Sequence, residues 1–412
     1  MKDAIFNLIA LEKKRQADVL EMIPSENYVS RSVLAALGSC LVNKYAEGYS
    51  GKRYYQGNEI IDQIENLAVD RAKKLFYTPH ANVQPYSGSP ANQAVYVATC
   101  KYGDSVMGMD LSAGGHLTHG SPVSFSGKNY HAVFYGVDEK NHLLDYEQIT
   151  KIANEQRPKL IWCGATAYPR LFDWEKFSFI AKEVDAYLAA DVSHYAGLIA
   201  GGVYPSPVPY VDIVTLTTHK TLRGPRGAAI LVTDKGNKKD KDLMKKIDKA
   251  VFPGLQGGPH ENQIAAMAVC FEEAGKPEFK TYAKNVVDNA RVLAEQLTAG
   301  GFNLVSKGTD NHLLLVDLRN KNISGKKAAV VLEKSGIICN ANSIPFDPNP
   351  PLTPSGIRLG TPAITTRGMG EGEMKKIASF ICTVIGSPSD DKTIMKISKE
   401  VKNLTKDFPI NF

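Results

Sequence analysis

The stretch 212–232, DIVTLTTHKTLRGPRGAAILV, decides the fold. A β-branched apolar run leads through a short polar segment and a Gly/Pro turn into a second apolar run. Short apolar runs bounded by turn residues read as buried strands. Lys220 stands just beyond the first run, behind Thr217, Thr218 and His219. Burial at a strand end disfavours the charged ammonium, and only a neutral amine attacks an aldehyde. Locally Lys220 reads equally well as a surface lysine or as a Schiff-base amine.

Upstream, strand candidates recur at SVMGMD (105–110), AVFYGV (132–137), LIWCGAT (160–166) and AYLAADVSH (186–194). Helix-compatible segments at 145–155 and 174–184 lie between several of them. Strands alternating with helices predict an α/β fold with a largely parallel, helix-covered sheet. Functional residues in such sheets gather at strand C-terminal ends, which is where Asp191, His194 and Lys220 fall.

Three loops carry chemistry. Ser87, Gly88 and Ser89 precede Pro90 and a helical pattern through Ala91, Ala94, Val95 and Ala98. Such a turn offers backbone N–H groups, hydroxyls and the positive helix end at one point, which suits either a phosphate or plain capping. The loop at 43–59 holds Tyr45, Glu47, Tyr49, Tyr54 and Tyr55 without a helix or strand period. It is not a nucleotide-binding P-loop, because Gly48 and Gly51 are too close and Arg53 stands where Ser or Thr is required. In LSAGGHLTHGSP (111–122), His116 and His119 lie three apart with no third metal ligand at sensible spacing, so no metal is expected.

The whole chain has 412 residues, 43% apolar and 22% charged, which predicts a soluble protein of two or more domains. Its net charge of +6 is dispersed. The densest basic stretch, 234–249, carries four aspartates and reads as a solvated helical face rather than a nucleic-acid patch. Six well-separated cysteines without CxxC pairs predict free, mostly buried thiols in a reducing compartment. Residues 1–23 read as an amphipathic helical arm suited to docking on another subunit, not as a signal peptide. No apolar run approaches a membrane span. A cytoplasmic protein is expected, with the arm and a large α/β domain over residues 1–275 and a smaller α+β domain over 276–412.

Lys220, Asp191 on a neighbouring strand, the Ser-Gly-Ser turn and a loop histidine together form a pyridoxal phosphate kit: amine, ring-nitrogen carboxylate, phosphate donors and a flat stacking face. With KYAEGYSGKRYY (44–55), NVQPYSGSPAN (82–92), GGHLTHGSP (114–122), DVSH (191–194), TTHKTLRGPRG (217–227), FPGLQGGP (252–259), TDNHLLLVDL (309–318) and SGIRLGTPA (355–363), the chain resembles the serine hydroxymethyltransferases. These are fold-type I pyridoxal phosphate enzymes. The resemblance runs essentially end to end.

That resemblance implies the following roles. Lys220 would hold the cofactor, Asp191 would pair with its ring nitrogen, His116 would stack on its ring, and His194 would lie near its phenolic oxygen. Ser87, Gly88, Ser89 and His219 would bind its phosphate, joined by Gly258 from a second subunit. Arg358 would take the substrate carboxylate, assisted by Ser25, with Asn342 nearby. Tyr45, Glu47, Tyr54 and Tyr55 would come from the second subunit, Glu47 handling protons between serine and folate. Thr217 and Arg226 would shape the lysine's surroundings. The implied reaction converts L-serine and tetrahydrofolate to glycine and 5,10-methylenetetrahydrofolate in a homodimer with shared sites. Departures from the family pattern are Pro24 for Ala, Thr166 for Ser and Ala341 for a common Lys. The last leaves tetrahydromethanopterin as an alternative carrier, and a pterin-independent aldolase of β-hydroxy amino acids is the other alternative.

Overall fold

The computed structural model describes residues 3–410. The chain divides into two compact units, residues 29–283 and a second unit that joins residues up to 28 with those from 284 onward.

The larger unit is built on a seven-stranded sheet. In spatial order its strands are His80–Asn82, Ala228–Val232, Ile213–Thr217, Tyr187–Asp191, Leu160–Cys163, Ser105–Met109 and His131–Tyr135. All neighbours from Ile213–Thr217 to His131–Tyr135 pair in parallel. Ala228–Val232 runs antiparallel to both of its neighbours. The connection from Thr217 to Ala228 is too short for the crossover that a parallel pair needs, so the chain turns straight back. That return loop carries Lys220. Every residue of Ile213–Thr217 and Ala228–Val232 is buried, as a sheet covered on both faces requires. The covering helices include Tyr146–Gln156 and Trp174–Glu183, capped by the Asp145 and Asp173 side chains.

The expected strand at 186–194 stops at Asp191, because its own carboxylate accepts from Ser193 N at 3.0 Å and turns the chain. The loop at 43–59, expected to be irregular, contains a small hairpin of Gly48–Tyr49 and Lys52–Arg53. Gly48 and Gly51 supply its positive φ angles of 99° and 72°.

The smaller unit holds an antiparallel sheet in the order Asn303–Leu304, Leu313–Asp317, Gly356–Gly360, Asn340–Asn342. Helices Gly325–Lys334, Glu371–Gly386 and Asp391–Asp407 bury Leu332, Ile377, Ile381 and Val401 against Leu314, Val316, Ile357 and Leu359. The N-terminal segment belongs here and not with the large domain. Leu20 and Glu21 pair in parallel with Ile337 and Ile338, and Leu20 and Met22 are fully buried in this core. Burying two such side chains contributes about 1.5–3 kcal/mol each, which is enough to fix the allegiance of a short strand. The other end of the large domain, expected at 275, falls at 283, inside the helix Pro277–Ala299.

Helix Ala4–Asp18 buries no residue, leaving Phe6 and Leu11 exposed. Among the described residues no helix is long and apolar enough to cross a membrane. All six cysteines are free, but only Cys163 and Cys270 are buried; Cys40 is exposed.

Candidate active site

The return loop around Lys220 is pinned on both sides by buried threonines. Thr218 Oγ1 donates to Pro225 O at 2.5 Å, and Thr218 O accepts from Gly224 N at 2.8 Å. Thr221 Oγ1 donates to His194 O at 3.0 Å and accepts from Gly197 N at 2.9 Å, which ties the loop to the turn after Asp191. Lys220 is thereby half-buried at a strand end, and its charge reaches Asp191, His116 and His219. Burial, then Lys220 and Arg226, push the His219 imidazole down to about 3, so it is neutral.

Asp191 is 7% exposed. Its Oδ2 accepts from Asn92 Nδ2 at 2.9 Å and lies 3.2 Å from His119 Nε2, while Oδ1 accepts from Ser193 N. Burial alone would raise this carboxyl. The hydrogen bond from His119, then the electrostatic influence of His119, His116 and Lys220, outweighs it and holds Asp191 well below the usual carboxylate range. Asp191 is ionised in the interior.

His116 Nδ1 is 2.7 Å from Thr118 Oγ1 and accepts from Thr118 N at 3.3 Å. Burial, then His119 and Lys220, lower it to about 4 against the opposing pull of Asp191. The fold also supplies the third ligand-type group that the sequence lacked: donor atoms of His116, His119 and Asp191 lie within 4.8 Å of one another. Their hydrogen bonds already account for that grouping.

Helix Gly88–Thr99 starts at Ser87, whose hydroxyl caps no N–H, so plain capping does not explain the Ser-Gly-Ser turn. A Cβ at Gly88 would stand 2.8 Å from Thr217 Cγ2 and 3.9 Å from Ser193 Oγ, so the turn sits against both strand ends that carry Asp191 and Lys220. Thr217 Oγ1 and His219 Nδ1 are buried without hydrogen-bond partners. Buried polar groups without partners in one place call for a polar ligand. An amine, an ionised carboxylate, a neutral flat ring and an open helix start fit pyridoxal phosphate.

A second group forms on the loop at 44–55. Tyr45 donates its hydroxyl to Glu47 Oε1 at 3.2 Å and meets the Tyr55 ring edge-on at 5.0 Å. A Cβ at Gly258 would lie 3.3 Å from the Tyr45 ring, and one at Gly257 3.1 Å from Glu47 Oε1. Tyr86, beside the Ser-Gly-Ser turn, donates to Gly258 O at 2.8 Å within the same chain. Arg53 fastens the loop, donating to Asp62, Ala46 O and Gly48 O and pairing with Glu65 at 3.1 Å. Tyr45, Tyr54 and Tyr55 are 53%, 70% and 47% exposed.

In the smaller unit, Arg358 lies on the strand Gly356–Gly360 and is 6% exposed. Its Nε donates to Asn340 Oδ1 at 3.2 Å, across the pair that matches Asn340 with Arg358. Asn342 donates to Ser343 O. Gly360 N donates to Met22 O at 2.7 Å, and Pro24 packs on Gly360, which sets Ser25 beside the end of that strand. Sequence reasoning noted His119 only as the second histidine of its loop and missed Asn92, Thr118 and Asn340; only their place inside or next to the quoted motifs pointed toward them.

A family model described as serine hydroxymethyltransferase matches residues 1–381. The serine hydroxymethyltransferase of Acidothermus cellulolyticus is 53% identical over 411 residues, covering 98% of this chain and 95% of the relative. That of a Nostoc species is 55% identical over 407 residues, covering 99% and 94%. With the geometry above, such full-length similarity leaves one conclusion: the chain belongs to the serine hydroxymethyltransferase family.

Proposed function

We propose that the chain transfers the hydroxymethyl carbon of L-serine reversibly to tetrahydrofolate, giving glycine and 5,10-methylenetetrahydrofolate. The observation that carries this reading is the buried, ionised Asp191 on the strand next to the one that ends before Lys220. Pyridoxal phosphate, held through Lys220, supplies an electron sink for the bonds broken at the substrate's α carbon.

The chain's own residues do the rest. Asp191 keeps a proton on a nitrogen set against it, because its carboxylate stays charged across the assay range. His116 offers a flat face that stays uncharged above about pH 4. Ser87, Gly88, Ser89 and His219 take the phosphate, and His194 and Thr217 line the approach to the lysine. Arg358 takes the serine carboxylate through two parallel N–H groups, with Ser25 and Asn342 beside it. Glu47 holds the proton exchanged at the hydroxymethyl group, steadied by the Tyr45 hydroxyl, with Tyr54 and Tyr55 excluding water.

The exposed rings of Tyr45, Tyr54 and Tyr55 support a homodimer in which this loop and Gly258 serve the site of a second copy. Free cysteines fit a cytoplasmic setting.

The test pairs glycine release from serine and tetrahydrofolate with the absorbance of lysine-bound cofactor. Lys220→Ala is expected to lose both, and an unchanged absorbance overturns the assignment.

A further inference from the structure

We propose that Asn92 and Thr118 are positioning residues: they hold His116 in its Nε2–H tautomer and couple it to the Asp191 carboxylate. The purpose of this relay rests on the function proposed above, but the hydrogen bonds that define it do not.

The chain of bonds has one consistent direction. Asn92 has two N–H hydrogens and spends them on Asp191 Oδ2 at 2.9 Å and Thr118 Oγ1 at 2.8 Å. The reverse orientation of its amide would point a carbonyl oxygen at a carboxylate, so the flip is excluded chemically. Thr118 Oγ1, accepting from Asn92, keeps its own hydrogen for His116 Nδ1 at 2.7 Å. The backbone N–H of Thr118 points at the same nitrogen from 3.3 Å, and a backbone N–H can only donate. Two donors converge on Nδ1, so that nitrogen is bare and the ring's hydrogen resides on Nε2.

Burial gives this relay its weight. Asn92 is 1% exposed, Thr118 3% and Asp191 7%, so water cannot substitute for a lost partner. The scaffold is local: Asn92 lies on the helix Gly88–Thr99, and Tyr96 of that helix donates to Thr118 O at 2.9 Å. The helix whose first turn would take the phosphate therefore also aims the carboxylate and locks the histidine. Rotating the His116 ring would set an N–H or a C–H against two donors, so the stacking face is held in one orientation. Protonating Nδ1 would set an N–H against the Thr118 backbone N–H and force the Thr118 hydroxyl to turn from donor to acceptor, which favours the neutral ring.

The test is 15N NMR of the full chain labelled at histidine, with and without bound pyridoxal phosphate, His116 being assigned by the signals missing in His116→Gln. The wild type is expected to show His116 wholly as Nε2–H, and Thr118→Ser to preserve it. Thr118→Val keeps the backbone N–H but removes the hydroxyl donor, and is expected to raise the Nδ1–H share above that of the wild type and to shift the titration midpoint of His116 upward. Should Thr118→Val fold poorly, Asn92→Asp provides the second arm. Placed against Asp191, its new carboxyl would share a proton with that carboxylate, and its other oxygen would draw the Thr118 hydroxyl hydrogen away and release His116 in the same manner. A wild-type His116 carrying its hydrogen on Nδ1, or variants with the wild-type tautomer pattern, would overturn the relay. Loss of lysine-bound absorbance in the wild type would count against the proposed function and leave the tautomer result standing.

Discussion

His119 Nε2 lies 3.2 Å from Asp191 Oδ2, with 1% and 9% of the two side chains exposed. An ionised carboxylate only accepts, so His119 donates, and its Nδ1 is left buried without a partner. The ring is steadied by stacking on Trp162 at 5.2 Å with planes 10° apart. His119→Phe would keep that stack and delete the donor. A hydrogen bond to a charged group contributes about 1.5–3 kcal/mol, so cofactor affinity is expected to fall roughly 10- to 100-fold. Fluorescence titration with pyridoxal phosphate reads this directly, and an unchanged affinity would remove His119 from the Asp191 support.

Arg358 presents its guanidinium from a central strand of the smaller sheet, steadied by Asn340 Oδ1 at 3.2 Å. Removing one partner of a desolvated charge pair costs about 2–5 kcal/mol. Arg358→Ala is expected to raise the KM for serine by roughly 30-fold or more. Arg358→Lys keeps the charge but not the two parallel donors, and should recover only part of that loss. A lysine variant with wild-type KM would refute bidentate capture.

How much of this could be read from the chain depends on the range of the interaction. Lys220, Asp191 and Ser87 were legible because strand ends and helix starts obey local rules of periodicity and turn chemistry. Even there, the strand through Asp191 ended three residues early, because a side-chain bond to Ser193 N overrode its apolar pattern. Asn92 was illegible as a site residue: its amide bonds partners 26 and 99 positions away, and an Asn one turn into a helix has no local signature. Asn340 matters only through its register opposite Arg358. The N-terminal arm was misassigned for the same reason, since the partner of Leu20 is Ile337. Gly48 and Gly51 served only to exclude a nucleotide-binding loop, and nothing local announced the hairpin that Arg53 fastens.

Glu261 opens the helix Glu261–Ala274 with 1% exposure, and neither of its carboxyl oxygens has a hydrogen-bond partner. Burial, then Glu65, push it up to about 8 against the pull of Arg53 and Lys44; Asp62 adds to the rise. The native state therefore holds a proton that the unfolded chain gives up near its ordinary value of 4.5. Its contribution to stability is complete below that value and is lost as pH rises through about 8. Between those limits stability falls by about 1.4 kcal/mol per pH unit for each such group. Glu261→Gln should flatten the decline in Tm from pH 6 to 9 relative to the wild type. Parallel curves for the two proteins would show that Glu261 does not hold the proton.

Glu47 and Lys220 belong to different groups in the larger unit: one lies on the exposed tyrosine loop, the other on the buried return loop. If the loop serves a second copy, a site needs Lys220 from one chain and Glu47 from its partner. Glu47→Gln removes the proton handler and is expected to lower serine turnover with tetrahydrofolate by roughly 100-fold or more. Lys220→Ala is expected to be inactive. Coexpression of the two variants should nevertheless restore activity. Random pairing makes half of the dimers mixed, and each mixed dimer carries one site intact at both positions and one damaged at both. Glycine release from the mixture should therefore reach roughly a quarter of the wild-type rate. A mixture as inactive as its components would mean that Glu47 acts within its own chain, and the shared-site dimer would have to be abandoned.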